Sequence, residues 1–329
     1  MHRVVITGMG AVTPYGAGVP LLRKALLLES RSALKFSEDF GFMVGAIPDE
    51  EDVFQRWTAG QKREMSRASQ LALVAAEENN DDIALVSLSG NAFRAIRHGW
   101  ARRAIAGASE GCVNAVSLAG FDRMRALSHG KVPSCSRPFD RERDGFVLSE
   151  GVGLVILERL QDALDRGAPV LAEIKGYGIS SDCYHISSPD PSGIGARLSM
   201  QRAIEDAKIS SDEVNYVNAH ATSTPTGDAI EALAIREVFG KRNIAVSSIK
   251  GIGLINQAGI ITKKFVPGHI GHLLAAAGAV EVIATVEAIR VLGTHYRQLP
   301  TRLNDNNNKL MFFSQLTILE RGEEIGDFR

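Results

Sequence analysis

No apolar run in this chain approaches the ~20 residues needed to cross a bilayer, so the sequence holds no candidate membrane span. An excess of one charge is missing too: 37 Lys and Arg stand against 38 Asp and Glu, a net charge of −1. That balance removes the electrostatic case for nucleic acid or an anionic membrane surface as partner. Cysteine is scarce. Cys112, Cys135 and Cys183 lack the spacing of a metal site, and a low, odd number points to a reducing compartment. Met1 leads directly into "RVVITG", with no stretch resembling a signal or transit peptide.

What is present is a globular composition. The chain has 329 residues, 45% hydrophobic and 23% charged, enough for one large domain or two ordinary ones. Strand and helix patterns alternate along it. "RVVITGMGAV" is a β-branched run broken by glycines, "REMSRASQLALVAAEE" has the spacing of one amphipathic helix, and "NAFRAIRHG" reads as a helix stopped at Gly99. "RRAIAGASE" and "GVGLVILERL" read as strands, the second an apolar run consistent with a buried strand. "VLAEIKGYGISSD" at 170–182 echoes the first strand: an apolar β run, then Gly-x-Gly. The echo divides the chain near 1–165 and 166–329, and buried strands alternating with helices predict α/β layers.

Two histidine stretches carry the chemistry. In "VNAHATSTPTGD", His220 sits where the strand-like run 213–221 ends and a loop opens before a helix, the place where ligands bind in α/β sheets. Taken alone, His220 reads equally as a catalytic group or as a histidine satisfied by the backbone. In "GHIGHLLAAAGAVEVIATVEAIRVL", residues 273–292 form an apolar, buried helix with His269 and His272 at its start. A neutral imidazole there could donate to a developing negative charge, aided by the helix dipole, or could be a polar residue at a helix entrance. Gly8 and Gly10 hint at a dinucleotide loop, but Thr13 stands where its third glycine belongs. Asp140, Arg143, Asp144 and Glu150 in "RPFDRERDGFVLSEG" read as a structural ion-pair network.

The ordered motifs "RVVITGMGAVTPYG", "SLAGFDRMRALS", "SRPFDRERDGFVLSEG", "YGISSDCYHISSPDPSG", "NAHATSTPTGD", "AVSSIKG" and "GHIGHLLAAAGAVE" together resemble the β-ketoacyl-acyl-carrier-protein synthases, closest to the type II elongating enzymes of bacteria and mitochondria. The resemblance covers most of 1–304. It implies a thiolase-like fold, two similar α/β halves in an αβαβα arrangement. It also implies a homodimer, acyl carrier protein as partner, and a mitochondrial or cytoplasmic setting. No cofactor or metal is implied, since phosphopantetheine arrives on the carrier protein. In that family a cysteine holds the acyl chain as a thioester. Two histidines promote decarboxylation of the malonyl thioester, and the carbanion attacks the acyl group. Motif match assigns the histidines to His220 and His272, their supporting lysine and glutamate to Lys250 and Glu281, and pantetheine binding to Thr222 and Thr224.

The chain departs from the family pattern in four places. The nucleophile elbow is absent near 80–91, so the first half is incomplete and no catalytic cysteine is assigned; Cys112 and Cys135 match other family positions and Cys183 lies in the "GYGISSDCYH" loop. An insert near 252–270 separates Lys250 from His272, either bulging outward or displacing one partner, and His269 at its edge receives no role. The tail after 304 lacks the family's Phe-Gly-Gly loop and does not match. "QKREMSR" keeps only loose similarity. The expected function is decarboxylative condensation in fatty acid elongation. The alternatives are a residual malonyl-carrier-protein decarboxylase and a non-catalytic partner or altered gene product. The missing block predicts an exposed sheet edge, an impaired dimer surface and low stability.

Overall fold

The computed structural model describes residues 1–29, 31–48, 55, 57–77, 86–87, 89–240, 244–251, 255–256, 260–261, 269–295, 309–312 and 317–321. Its strands are β1 (Val4–Thr13), β2 (Gly16–Ala17), β3 (Lys35–Ser37), β4 (Phe42–Gly45), β5 (Val86–Ser87), β6 (Arg103–Glu110), β7 (Leu148–Ser149) and β8 (Gly151–Arg159). They continue with β9 (Ala172–Tyr177), β10 (Val214–Asn218), β11 (Ala245–Ser247), β12 (Ile255–Asn256), β13 (Ile260–Ile261), β14 (Lys309–Phe312) and β15 (Thr317–Arg321). One sheet takes the order β13-β12-β11-β10-β14-β15-β9-β1-β8-β6-β5, with β2 beside β1, and β3-β4-β7 form a small second sheet.

β8 shows how the layers arise. Every residue from Gly151 to Glu158 is buried, as its unbroken apolar run requires. Side chains alternate between faces. Val155 and Leu157 join Val280 and Ile283 of the helix Ala277–His295, while Val152 and Leu154 join Leu71 and Val74 of the helix Arg67–Glu77. Gly153 lets the first helix rest on the strand: a Cβ there would lie 2.8 Å from the Ala279 and Val280 backbone. The same helix meets the other arm of the sheet, where Asn218 of β10 donates to the Glu281 carbonyl (3.3 Å) and to Thr285 Oγ1 (3.0 Å). It is apolar nearly all round because sheet lies on two sides of it.

Beyond that second arm, the helices Ile194–Ala207 and Pro225–Phe239 share a core with Val214 and Val217. They form the outer layer there, as Arg67–Glu77 does on the opposite side. The order is helix, sheet, helix, sheet, helix: the layered α/β arrangement expected of a thiolase-like chain.

Two departures from the sequence reading have physical causes. The expected single helix in "REMSRASQLALVAAEE" is two, Ala59–Glu64 and Arg67–Glu77. Met65 is extended, and Ser66 Oγ accepts from the Ser69 amide at 3.1 Å, which ends one helix and caps the next. The helix expected from 273 begins at Ala277, behind a 3-10 turn at Leu274–Ala276. The unmatched tail is not peripheral: β14 pairs parallel to β10, β15 antiparallel to β9, and the two pair with each other in mid-sheet.

Most of the region of the missing block, 78–85 and 88, lies outside the described residues, as does much of the insert. The described part of the insert, β12 and β13, extends the sheet antiparallel beyond β11. Its two ends meet as neighbours: the Ile270 and Gly271 amides donate to the Ile249 and Lys250 carbonyls at 3.4 and 3.2 Å. The insert therefore leaves the site's entry and exit side by side and displaces neither partner.

Candidate active site

His220 stands just past the end of β10, a buried strand. Its amide donates to Glu231 Oε1 and the next amide, Ala221, to Glu231 Oε2, both at 2.7 Å. Asp228, one helical turn before Glu231, accepts from Ser223 and Thr224 amides at 3.2 Å each. The i, i+3 spacing of these two carboxylates puts them on one helix face, and both are buried against the loop they hold. Burial pushes Glu231 up to about 7, against the two amides that favour its ionised form.

His272 reaches the same place from the other side. Its amide donates to Val147 O (2.8 Å) and its carbonyl accepts from the Ser149 amide (3.0 Å), so a bridge to β7 sets the ring's position ahead of the helix. The two imidazoles meet edge to face with centroids 5.0 Å apart, across 52 sequence positions. Phe146 packs edge-on against His272 at 5.3 Å. Among the described residues neither ring's buried Nδ1 has a protein partner. Burial drives His220 down to about 3, with the Lys250 ammonium adding to the effect. Burial likewise holds His272 well below 6.5, aided by His220 and Lys250. Both imidazoles are uncharged at neutral pH, each able to donate one N–H.

Lys250 and Glu281 form an ion pair and hydrogen bond at 1% and 0% side-chain exposure. Burial pushes Glu281 up to about 7 while Lys250 pulls it down, and Glu281 Oε2 is left without a partner. Thr222 and Thr224 hydroxyls lie 3.2 Å apart. His220, Thr222, Thr224 and Glu231 line a cavity of about 540 Å³ whose far wall is Ser180–Asp182, Gly193, Gly195 and Ala196.

The structure thus brings together all six residues singled out in the sequence. It adds Glu231 and Asp228, which the reading passed over; the signal was the Asp-x-x-Glu spacing in "GDAIE". The expected network among Asp140, Arg143, Asp144 and Glu150 does not form. Glu150 pairs with Arg67 at 2.6 Å, Asp144 accepts from Ser128 Oγ at 2.7 Å, and Arg143 binds carbonyls of the threonine loop. Its charges serve separate neighbours because the loop is spread across several elements. His269 lies apart, its Nδ1 2.9 Å from the Arg31 carbonyl. None of the described residues lining this cavity is a cysteine. Burial pushes the Cys112 thiol up to about 12, and the Cys135 thiol also up, the reverse of what a nucleophile needs.

The titrations have an opposite pair of signs. As pH falls below 6.5 the unfolded chain protonates histidines that the folded site keeps neutral, so their contribution to stability is full above 6.5 and is lost toward 3. Glu231 and Glu281 act the other way: their contribution is full below 4.5 and lost as pH rises through about 7. His272→Gln removes one histidine term, worth up to ~1.4 kcal/mol per pH unit. Urea midpoints measured at pH 7 and pH 5 should fall less in this variant than in the wild type. An identical fall would show that His272 is not held neutral.

The family described as "Beta-ketoacyl synthase, N-terminal domain" matches residues 84–163, and "Beta-ketoacyl synthase, C-terminal domain" matches 171–259. A mitochondrial 3-oxoacyl-[acyl-carrier-protein] synthase of Arabidopsis thaliana is 43% identical over 230 residues, 68% of this chain and 45% of that protein. The synthase 2 of Synechocystis sp. is 42% identical over 61% of this chain and 45% of its own length. In these two comparisons the chain spans about half the length of its relatives. A putative mitochondrial synthase of Schizosaccharomyces pombe aligns more fully, 31% identical over 386 residues, 88% of this chain and 87% of that protein. An alignment of 386 positions against 88% of 329 residues contains gaps in this chain, in keeping with a missing block. Among solved structures, a β-ketoacyl synthase of Burkholderia phymatum superposes with a TM-score of 0.77 at 24% identity, covering 98% of this chain and 100% of that one. A type II ketosynthase in complex with its acyl-carrier protein gives 0.75 at 24%, covering 98% and 99%. These two show the shared thiolase-like fold. With its layers, its motif order and these relatives taken together, the chain belongs to the β-ketoacyl synthase family.

Proposed function

We propose that the chain acts in the reaction for which its relatives are named, condensation of malonyl-carrier protein with an acyl thioester in fatty acid elongation. Its described residues perform the malonyl half. The observation that carries this reading is the edge-to-face contact of two neutral, half-buried imidazoles, one of which, His220, lines a cavity together with two threonines. Thr222 and Thr224 hydrogen-bond the pantetheine arm and aim the thioester at the rings. As the bond from Cα to the carboxylate breaks, its electron pair moves into the thioester carbonyl and carbon dioxide leaves. Imidazole N–H groups then stabilise the enolate oxygen. Uncharged donors held in place by the surrounding backbone suit this task, since they need no reorganisation as the charge develops. The enolate carbon attacks the acyl thioester carbonyl, and the acyl carbon–sulfur bond breaks to leave a thiolate.

The partner on this reading is acyl carrier protein, in keeping with the relatives' names and with the carrier complex of the second solved ketosynthase. Two relatives named as mitochondrial support that compartment. Among the described residues no helix is long and apolar enough to cross a membrane. The assay that tests this reading also registers its alternative, decarboxylation without condensation.

One assay separates the two. Malonyl-carrier protein labelled in the free carboxyl is incubated with the chain and with acyl-carrier protein. Released carbon dioxide, 3-oxoacyl product and acylated cysteines are then followed. Carbon dioxide is expected, with no acyl label on Cys112, Cys135 or Cys183. Product formation selects the condensing reading, release without product the decarboxylase, and no release rejects both.

A further inference from the structure

The segment from Ser136 to Gly145 touches both strands of the site from behind. Ser136 Oγ donates to the Lys250 carbonyl at 2.7 Å, and a Cβ on Gly251 would lie 2.2 Å from the Ser136 carbonyl oxygen. On the other side the segment grips the threonine loop. The Arg137 amide donates to Ser223 Oγ (3.0 Å), the Phe139 amide to Asp228 Oδ2 (2.8 Å), and the Gly145 amide to the Ser223 carbonyl (3.0 Å). Arg143 completes the grip. Its Nε donates to the Thr224 carbonyl at 3.0 Å, Nη2 to the Pro225 carbonyl at 2.5 Å and Nη1 to the Asp140 carbonyl at 2.6 Å, with Asp228 3.7 Å from Nε.

The gripped loop is strained. Ser223 has φ +74, a left-handed backbone that favours glycine, and Phe139 facing it has φ +63. Strain of this kind persists only where neighbours over-determine it. The left-handed residue between Thr222 and Thr224 turns the chain so that both threonines line the cavity. Gly227 leaves room for the second: a Cβ there would lie 2.5 Å from Thr224 Oγ1.

We propose that Arg143 is a positioning residue for pantetheine binding: it holds the strained Thr222–Thr224 turn in the orientation that presents both hydroxyls to the cavity. This rests on the reading that the threonines meet pantetheine. The guanidinium is suited to the task because its donors are fixed in one plane and reach three carbonyls at once. A lysine keeps the charge and loses the fork.

Arg143→Lys tests the assignment with malonyl-pantetheine as probe. KM for decarboxylation should rise about tenfold, the size expected for lost hydrogen bonds to a charged donor. The turnover number should stay within about twofold, because the histidines are untouched. Thr224→Val should raise KM as well, and the double variant should be no worse than the weaker single, since one acts through the other. Amide hydrogen exchange supplies the structural readout: Ser223 and Thr224 should exchange faster, with β8 unchanged. An unaltered KM, or losses that multiply in the double variant, would overturn the assignment. If the wild-type chain does not turn over malonyl-pantetheine, the pantetheine reading falls and exchange alone decides. Unchanged protection at Ser223 and Thr224 in Arg143→Lys then overturns the grip, and faster exchange upholds it for whatever the cavity binds.

Discussion

Replacing Lys250 with methionine is expected to destabilise the protein by about 3–5 kcal/mol, the range for removing one partner of a buried ion pair. The substitution leaves Glu281, fully buried, with neither oxygen paired. Such a loss is a large share of the ~5–15 kcal/mol that holds a domain together. The deficit has a pH signature. Without its ammonium partner the carboxyl is pushed further up, so it is neutral at pH 5 and costly only where it ionises. Urea unfolding should therefore show a smaller deficit at pH 5 than at pH 8. Adding Glu281→Leu, which removes the stranded charge, should recover most of the loss. A deficit that does not vary with pH would mean that packing, not the pair, is what Lys250 supplies.

The second large effect is on chemistry. His272→Ala is expected to slow release of carbon dioxide from malonyl-pantetheine by about 10²–10³-fold, the usual loss for one donor to a developing oxyanion. His220→Ala should cost as much. Because the rings touch, at 5.0 Å between centroids, the double variant should be little slower than either single. Glu231 gives a graded control: it holds the His220 and Ala221 amides and touches no reacting atom in this scheme. Glu231→Gln keeps one acceptor and should lose less than either alanine variant. Equal rates in wild type and His272→Ala would remove the histidines from the reaction altogether.

How much of this could be read from residues alone varies by element. β8 and the helix behind His272 were legible because burial on all sides leaves an unbroken apolar run, the strongest periodic signal a sequence carries. The six site residues were legible only through motif order: no spacing rule connects His220 to His272, since their contact is made by two sheet arms closing on one helix. Glu231 and Arg143 were harder to see because they act through backbone groups, which leave no trace in side-chain patterns. The strands of the tail went unread for a related reason. "KLMFFSQLTILER" has ordinary strand composition, but a search for a Phe-Gly-Gly loop looks for particular letters, and a strand needs only the right kind of letter. The break at Ser66 shows the opposite failure, where helical spacing continued across a cap that only the backbone reveals.

The place of β14 and β15 in mid-sheet also sets an order in time. β9 leaves the ribosome about 140 residues before β15, which is to lie beside it. At ~5–20 residues per second that is a wait of ~7–30 s. Throughout it β9, and from its own synthesis β10, has open backbone on the side where the later pair will sit. The nascent chain carries these two sticky strand edges until the tail has been made. A slower translation rate lengthens that exposure without altering a single contact in the finished protein, and yield from a slowly translated message is expected to fall when nothing shields those edges.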